Sequence, residues 1–213
     1  LDGFGDDQDL VASTANGSSV TSTVPLTDTT LVGFDREATL SVVDLNPGNA
    51  VPAAASLFLG DDPSNGVLSL SSNDDTLTDL ELIYSGGDPV DITLGGLIPG
   101  LQVVGESDFA DGDITLELEI EGVVVQHVVN DPNPADPNPD EAFEVFFDYN
   151  DFAGVDLTSV DEIAFRVVDE TETDLELDFI GFEVDTPGGG GTDAQTLTTA
   201  QAVEGQLSQA SSL

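Results

Sequence analysis

The sequence contains no cysteine, so neither disulfide bonds nor thiolate metal sites can form within this chain. It also contains no methionine, and a chain that lacks its initiator residue is expected to be a processed product. Removal of a secretion signal is the simplest such processing, and excision from a larger protein is the alternative. Without either sulfur residue the chain has few easily oxidised side chains, which suits a protein outside the cell.

Positive charge is almost absent. The chain has no lysine, and Arg36 and Arg166 face 43 acidic residues, giving a net charge of -41. Such a polyanion has almost no basic groups with which to displace counterions from phosphates, so binding to nucleic acid or to anionic membrane surfaces is not expected. No run of about 18 apolar residues is present, so direct membrane insertion is not expected either.

The acidic charge is expected to lie on the surface of a folded body, because 39% of the residues are hydrophobic and 11 are phenylalanine. Most carboxylates cannot have a protein cation as partner. Their mutual repulsion is screened at high ionic strength, where the Debye length falls to about 3 Å at 1 M salt. The composition therefore predicts saline or cation-rich surroundings and an extracellular or cell-surface location.

Apolar and polar residues alternate along most of the chain, as in the stretch DITLELEIEG at residues 113–122. Turn signals rich in Gly, Asp, Asn and Pro separate the strand-like runs, and a tight turn is expected near Glu121 and Gly122. Many short strands at this spacing predict an all-β, antiparallel β-sandwich, and we expect a jelly roll. The predicted strands are residues 19–24, 37–45, 55–60, 66–72, 78–86, 89–97, 101–106, 113–122, 123–130, 142–149, 161–169 and 174–184, with a bulge or close backbone approach at Gly181.

Composition also predicts the domain organisation. An N-terminal segment at residues 1–18 precedes the sandwich at residues 19–185. A Gly-rich linker at 186–192 follows, and residues 193–213 form a polar, nearly uncharged tail.

Either terminus could join copies of the chain. A sandwich has open sheet edges, and an extended segment from a neighbouring copy can add a strand to such an edge. Head-to-tail joining of this kind propagates into filaments, so a homo-oligomer or homopolymer is expected, and deletion of residues 186–213 should abolish assembly by the tail. The side chains that could fill pockets on a neighbouring copy are Leu1, Phe4, Leu10 and Val11 at the N-terminus and Leu197, Val203 and Leu207 in the tail. The alternative is a monomeric surface domain whose tail connects it to an anchor.

Calcium is the one cofactor that the sequence suggests, because oxygen ligands abound. The loop NDPNPADPNPDE at residues 130–141 repeats an Asp-Pro-Asn-Pro unit. Asp136, Asn138 and Asp140 have the spacing of the first three ligands of an EF-hand loop. The loop is nevertheless not an EF-hand, because in this alignment Glu141 occupies the position of the conserved glycine and Phe147 that of the last glutamate ligand. A solvated acidic loop is the alternative interpretation. The candidate ligands are Asp131, Asn133, Asp136, Asn138 and Asp140.

Catalysis has little support, and we expect no enzyme. His127 is the only histidine and lies within an alternating strand, so a Ser-His-Asp arrangement would need this residue to face a cleft. Paired carboxylates for glycoside hydrolysis cannot be refuted, but no spacing singles out a pair. Arg36 and Arg166 are each expected to form a structural, bidentate ion pair rather than a ligand site.

The alternative binding function is a calcium-dependent carbohydrate-binding module that recognises surface glycans. Sugar platforms need exposed aromatic faces, and the chain has no Trp and only two tyrosines, Tyr84 and Tyr149. A cluster of aromatic residues surrounds Tyr149, but alternation assigns at least half of them to the core. Its members are Phe143, Phe146, Phe147 and Phe152.

Two segments are GSSVTSTVPLTDTTLVGFDREATLSV at residues 17–42 and VDLTSVDEIAFRVVDETETDLELDFIGFEV at residues 155–184. Together they resemble exported bacterial β-sandwich proteins of the PEP-CTERM type. The chain departs from that pattern because no membrane segment with basic residues follows Val184. The resemblance implies secretion and a role at the cell surface or in a matrix, and it carries over no catalytic residues. We therefore expect a secreted, acidic, structural protein that assembles into a filament, pilus-like fibre or matrix.

Overall fold

A computed structural model of the chain describes residues 8–13, 17–26, 34–46, 54–60, 67–73, 75–108, 113–130, 141–171 and 174–182. These residues form twelve strands, with a 3₁₀ turn at Tyr149–Asp151. The strands are β1 (Gln8–Ser13), β2 (Ser18–Pro25), β3 (Asp35–Asp44), β4 (Ala54–Gly60), β5 (Val67–Ser72), β6 (Thr76–Val90), β7 (Gly100–Ser107), β8 (Ile114–Ile120), β9 (Val123–Val129), β10 (Glu141–Asp148), β11 (Val160–Thr171) and β12 (Asp174–Phe182).

The strands form two six-stranded antiparallel sheets that pack face to face, which confirms the predicted β-sandwich. Sheet A has the order β1-β4-β5-β12-β7-β10, and sheet B has the order β2-β3-β6-β11-β8-β9. Strands β1 and β10 are thus the edges of sheet A, and β2 and β9 are the edges of sheet B.

The strands from β5 to β12 follow the winding of a jelly roll. Along this part of the chain β5 pairs with β12, β6 with β11, β7 with β10 and β8 with β9, all antiparallel. The eight strands thus form one long hairpin that is folded over to make the sandwich. Its successive strand pairs therefore lie alternately in sheet A and in sheet B. The first four strands form a second, shorter hairpin, in which β1 pairs with β4 and β2 with β3, and it widens both sheets on the same side.

Alternation of apolar and polar residues determines which face of each strand is buried. In β8 every second residue, from Ile114 to Ile120, is buried, and the residues between them are partly exposed. The same pattern in β3, β5, β6 and β11 supplies one continuous apolar core between the sheets. The acidic side chains of these strands consequently lie on the outer faces, as the sequence predicts.

One predicted strand differs in the structure. The run at residues 89–97 ends its strand at Val90 and continues as turns, because Leu94, Gly95 and Gly96 all have positive φ, at 47°, 72° and 83°. Three consecutive residues in that region cannot extend a strand. The Asp91 carboxylate fixes this turn by accepting from the backbone N–H groups of Thr93 at 2.9 Å and Gly95 at 2.8 Å.

Two further details concern a turn and a bulge. Glu121 and Gly122, with φ of 50° and 80°, join β8 to β9 in a two-residue turn of type I′, as the sequence predicts. The register shift in β12 lies between Leu177 and Phe179 rather than at Gly181, which pairs directly with Gln102.

The described sandwich includes a strand within the predicted N-terminal segment at residues 1–18, namely β1 at Gln8–Ser13. The predicted linker and tail, residues 186–213, lie outside the described residues.

Candidate functional site

The two edges of sheet B differ in charge from the four strands that lie between them. Strand β2 has the sequence SSVTSTVP and strand β9 has VVVQHVV, so neither carries an acidic or an arginine side chain. The four strands between them, β3, β6, β8 and β11, all carry carboxylates. Both edges of sheet A also carry acids, Asp9 in β1 and three residues in β10. Sheet B therefore ends on both sides in an uncharged strand.

Strand β9 exposes apolar side chains along its outer face. Val124 and Val128 are 49% and 51% exposed, and they flank Gln126, whose side-chain amide donates to Glu117 of β8 at 3.3 Å. The inner residues Val123 and Val125 pack against the core. Within the described part of the chain, β9 has one strand partner, β8, so its other side presents backbone N–H and C=O groups without a neighbouring strand. Strand β2 is placed in the same way beside β3.

His127 points from β9 toward the sandwich interior. Its ring meets Phe147 of β10 edge-on, with centroids 4.7 Å apart and an interplanar angle of 89°. Its Nε2 atom is buried, and no described residue forms a hydrogen bond with it. The described residues therefore do not place His127 in a Ser-His-Asp arrangement; the ring packs as an apolar group.

Arg166 lies on the outer face of sheet B between two glutamates. Its Nε donates to Glu81 of β6 at 2.7 Å, and its Nη1 donates to Glu119 of β8 at 2.6 Å. Partial burial tends to lower the pKa of the guanidinium, but the hydrogen bonds and charges of Glu119 and Glu81 outweigh it and raise the pKa above its ordinary value. Arg166 therefore forms ion pairs within sheet B, with two carboxylates from two strands in place of the expected bidentate pair.

Arg36 is buried completely, on the inner face of β3. Its Nε donates to Oε1 of Gln8, the first residue of β1, at 3.1 Å. Because β1 belongs to sheet A and β3 to sheet B, this hydrogen bond joins the two sheets across the interior. The position fits a structural role for Arg36, since no solvent reaches its side chain.

A shallow acidic groove of about 330 Å³ lies on the outer face of sheet A. Glu106 of β7 and Glu176 of β12 are directly opposite each other there, although like charges in such pairs destabilise a sheet. Besides Leu175, the side chains that line the groove offer carboxylate and hydroxyl oxygens. They belong to Ser69, Ser71, Glu106, Ser107, Asp108, Asp174 and Glu176.

Two Asp-x-Thr turns meet at one end of the sandwich. Asp91 accepts from the hydroxyl of Thr93 at 2.6 Å, and Asp156 accepts from the hydroxyl of Thr158 at 2.6 Å. A backbone hydrogen bond from Ile92 to Leu157 holds the two turns together. For Asp91, burial raises the pKa, but hydrogen bonds from Thr93 and Gly95 outweigh it and the pKa is lowered. The hydrogen bonds from Thr158 likewise lower the pKa of Asp156.

Most of the residues singled out from sequence lie outside the described ones. This holds for the calcium ligands Asp131, Asn133, Asp136, Asn138 and Asp140, and for Leu1, Phe4, Leu197, Val203 and Leu207. Leu10 and Val11 lie in β1, where they pair with Leu57 and Ser56 of the same chain. Among the residues that the structure describes, no three acidic or histidine side chains are grouped to hold a metal ion.

Aromatic side chains offer no sugar platform in the described part of the molecule. Tyr84 and Tyr149 are both buried, and the hydroxyl of Tyr149 donates to the carbonyl of Ile92 at 3.2 Å. Of the cluster around Tyr149, only Phe146 is even partly exposed. Burial, reinforced by the charge of Asp91, raises the pKa of Tyr149 well above its ordinary value.

Sequence reasoning missed the two uncharged edges. Part of the signal was present, because SSVTSTVP and VVVQHVV carry no charge in a chain with 43 acids, but longer uncharged runs such as residues 45–60 occur elsewhere. What the sequence does not reveal is the strand order, and only the strand order places β2 and β9 at opposite edges of one sheet.

Comparison with known proteins assigns no family. No protein-family model matches the sequence, and no curated protein does. The structure is similar to the crystal structure of the enzymatically active domain of bacteriophage CBA120 tailspike protein 4, at 11% identity and a TM-score of 0.31, over 78% of this chain and 19% of that one. This chain thus spans about a fifth of that structure's length, and a similarity this low assigns no function. No helix in the described residues is long and apolar enough to cross a membrane.

Proposed function

We propose that this protein is an acidic structural subunit that assembles with copies of itself outside the cell, into a filament or matrix, in ion-rich surroundings. The observation that carries the proposal is the pair of uncharged edges, β2 and β9, in a molecule of net charge -41. The absence of cysteine and methionine and the resemblance to exported β-sandwich proteins support the location.

Soluble sandwiches usually block their sheet edges. Charged side chains, prolines or bulges at an edge prevent another chain from pairing with the open N–H and C=O groups. The chain has 43 acidic residues, but none of them lies in β9, where five of the seven residues are valine. Such a strand is a template for pairing, so its retention at an edge favours an assembling protein over a monomeric one.

Dissolved cations would control the assembly. At low ionic strength the carboxylates of two copies repel each other over the Debye length of about 30 Å at 0.01 M salt, whereas about 1 M salt shortens it to about 3 Å. We expect the subunits to remain apart in the first condition and to associate in the second.

The experiment is electron microscopy and light scattering of the purified chain at about 0.01 M and about 1 M NaCl, and with CaCl2 at matched ionic strength. Filaments or extended sheets at high ionic strength support the proposal, and a greater effect of CaCl2 at the same ionic strength would indicate a role for calcium beyond screening. Monomers under every condition would refute it. A variant lacking residues 186–213 tests whether the tail joins the copies, because loss of assembly in that variant alone would assign the contact to the tail.

A calcium-dependent carbohydrate-binding module is the second candidate, favoured by the groove on sheet A. Carboxylate pairs such as Glu106 and Glu176 accept hydrogen bonds from sugar hydroxyls. Glycan binding by a dispersed monomer, lost in a Glu106→Gln variant, would favour this candidate over assembly.

A further inference from the structure

We infer that β9 of one copy pairs with β2 of the next, so that sheet B continues from subunit to subunit. This inference rests on the proposed function and names the contact that performs it. It requires no exchange of a terminal segment, since both edges belong to the folded sandwich.

Strand direction supports the pairing. All five neighbouring pairs in sheet B are antiparallel, namely β2–β3, β3–β6, β6–β11, β11–β8 and β8–β9. With six strands in alternating directions, β2 and β9 of one copy run in opposite directions. A second copy displaced along the sheet therefore presents its β2 antiparallel to β9 of the first, which is the pattern of the existing ladder.

The register supports it as well. One row of outward-facing residues crosses the whole sheet without a shift. It runs Thr21, Thr39, Glu81, Arg166, Glu117 and Gln126. If the next copy continues this row, Gln126 faces Thr21 of that copy. In this register the inward-facing residues of the two strands also lie on the same side of the joined sheet. They include Val123, Val125 and Val129 of β9 and Val20 and Val24 of β2.

The distance between the carboxylates of the two copies allows this contact when salt is present. Among the residues of the described strands, the carboxylates nearest the junction lie on Glu117 and Glu119 of β8 and on Asp35 and Glu37 of β3 in the next copy. Three strand spacings separate β8 from that β3, which is about 14 Å. This exceeds the Debye length of about 10 Å at 0.1 M salt but not that of about 30 Å at 0.01 M. Joining the edges of sheet A would instead bring the acids of β10 next to Asp9 of β1.

The contact is heterologous, because it joins two different edges. A row of paired copies keeps a free β2 at one end and a free β9 at the other, so the pairing continues until a rotation closes it or the supply of subunits ends. The twist between strands turns the extended sheet, and the expected product is a twisted filament.

The absence of cysteine gives a direct test by cross-linking. Two single variants, Thr21→Cys and Gln126→Cys, are mixed in assembling salt and oxidised. We expect cross-linked dimers that contain one chain of each kind, and few dimers from either variant alone. Dimers of Gln126→Cys alone would indicate a symmetric β9–β9 contact and would overturn the inference. The matched control replaces Gln126→Cys with Ala142→Cys, which is exposed on the edge strand β10 and should give no dimers with Thr21→Cys.

A second readout does not depend on cysteine. Val124→Glu places a charge on the outer face of β9 at a half-exposed position, so the sandwich should still fold. We expect it to raise the concentration needed for assembly about tenfold or more, because a charged side chain on an edge strand opposes pairing with another strand. Ala142→Glu adds the same charge to β10 and should leave that concentration unchanged. Normal filaments from Val124→Glu, or filaments of the wild type without mixed cross-links, would overturn this inference while leaving the proposed function in place.

Discussion

Arg36 donates a hydrogen bond from its Nε to Oε1 of Gln8 at 3.1 Å, and both side chains are buried. We predict that Gln8→Leu lowers the free energy of unfolding by about 1.5–3 kcal/mol, because a buried charged donor then loses an acceptor. Urea unfolding at one fixed salt concentration measures the change. Gln126→Leu is the matched control, since Gln126 is exposed, and at about 0.01 M salt, where the copies are expected to stay apart, it should change stability by no more than about 0.5 kcal/mol. Equal effects of the two substitutions would contradict a role for Gln8 in joining the sheets.

The sequence predicts the sandwich because alternation is a local property. In β8 the apolar residues Ile114 to Ile120 reveal the buried face without any knowledge of the neighbours. Alternation gives the wrong prediction at residues 91–97, because the backbone there forms turns instead of a strand. Leu94 has a positive φ, and the carboxylate of Asp91 holds the turn by accepting a hydrogen bond from the backbone of Gly95. It also cannot show that β2 and β9 are edges, because strand order depends on contacts between distant parts of the chain.

The ion pairs of Arg166 should contribute stability that depends on salt. We predict that Arg166→Gln lowers the free energy of unfolding by about 1–2 kcal/mol at low ionic strength, because Glu81 and Glu119 lose their shared cation. At about 1 M NaCl the loss should shrink to a few tenths of this, since the groups are partly exposed and screened. Urea unfolding at both salt concentrations checks this, and adding Glu81→Gln to Arg166→Gln should recover part of the loss. A loss that is the same at both salt concentrations would contradict the electrostatic explanation.

The Asp91 turn should give a defined pH dependence. Its carboxylate has a lowered pKa in the folded protein, because hydrogen bonds from Thr93 and Gly95 outweigh the effect of burial. Its contribution to stability is therefore complete above the ordinary pKa of about 3.9 and is lost as the pH falls through the lower folded value. We predict that Asp91→Asn is less stable than the wild type by about 1 kcal/mol at neutral pH and that the difference vanishes in strong acid. Urea unfolding as a function of pH measures it, and a difference that does not change with pH would contradict this explanation.

Gly105 is expected to tolerate no side chain. A Cβ atom at this position would overlap the carbonyl oxygen of Glu176 and lie 2.8 Å from Cδ2 of Leu177. Gly105→Ala should therefore push β12 from β7 and cost about 1–3 kcal/mol, as overpacking does in other cores. Ser71→Ala, at an exposed position of β5 on the other side of β12, is the control and should cost no more than about 0.5 kcal/mol. Unfolding curves that coincide for Gly105→Ala and the wild type would show that the strands can separate at no cost.

Salt should stabilise the fold itself as well as the contact between copies, and the two effects can be separated. Val124→Glu is expected to remain monomeric, so its unfolding reports on the sandwich alone. Its net charge is more negative than that of the wild type, and repulsion among carboxylates on the outer faces weakens as the Debye length falls from about 30 Å at 0.01 M to about 3 Å at 1 M salt. We predict that the midpoint of its thermal unfolding, followed by circular dichroism, rises steadily over this range and does not depend on protein concentration. In the wild type the midpoint should rise further at high salt and should increase with protein concentration, because association stabilises the folded state by mass action. A Val124→Glu midpoint that is insensitive to salt would mean that the fold tolerates its charge without screening, and the inferred ion-rich surroundings would lose their physical basis.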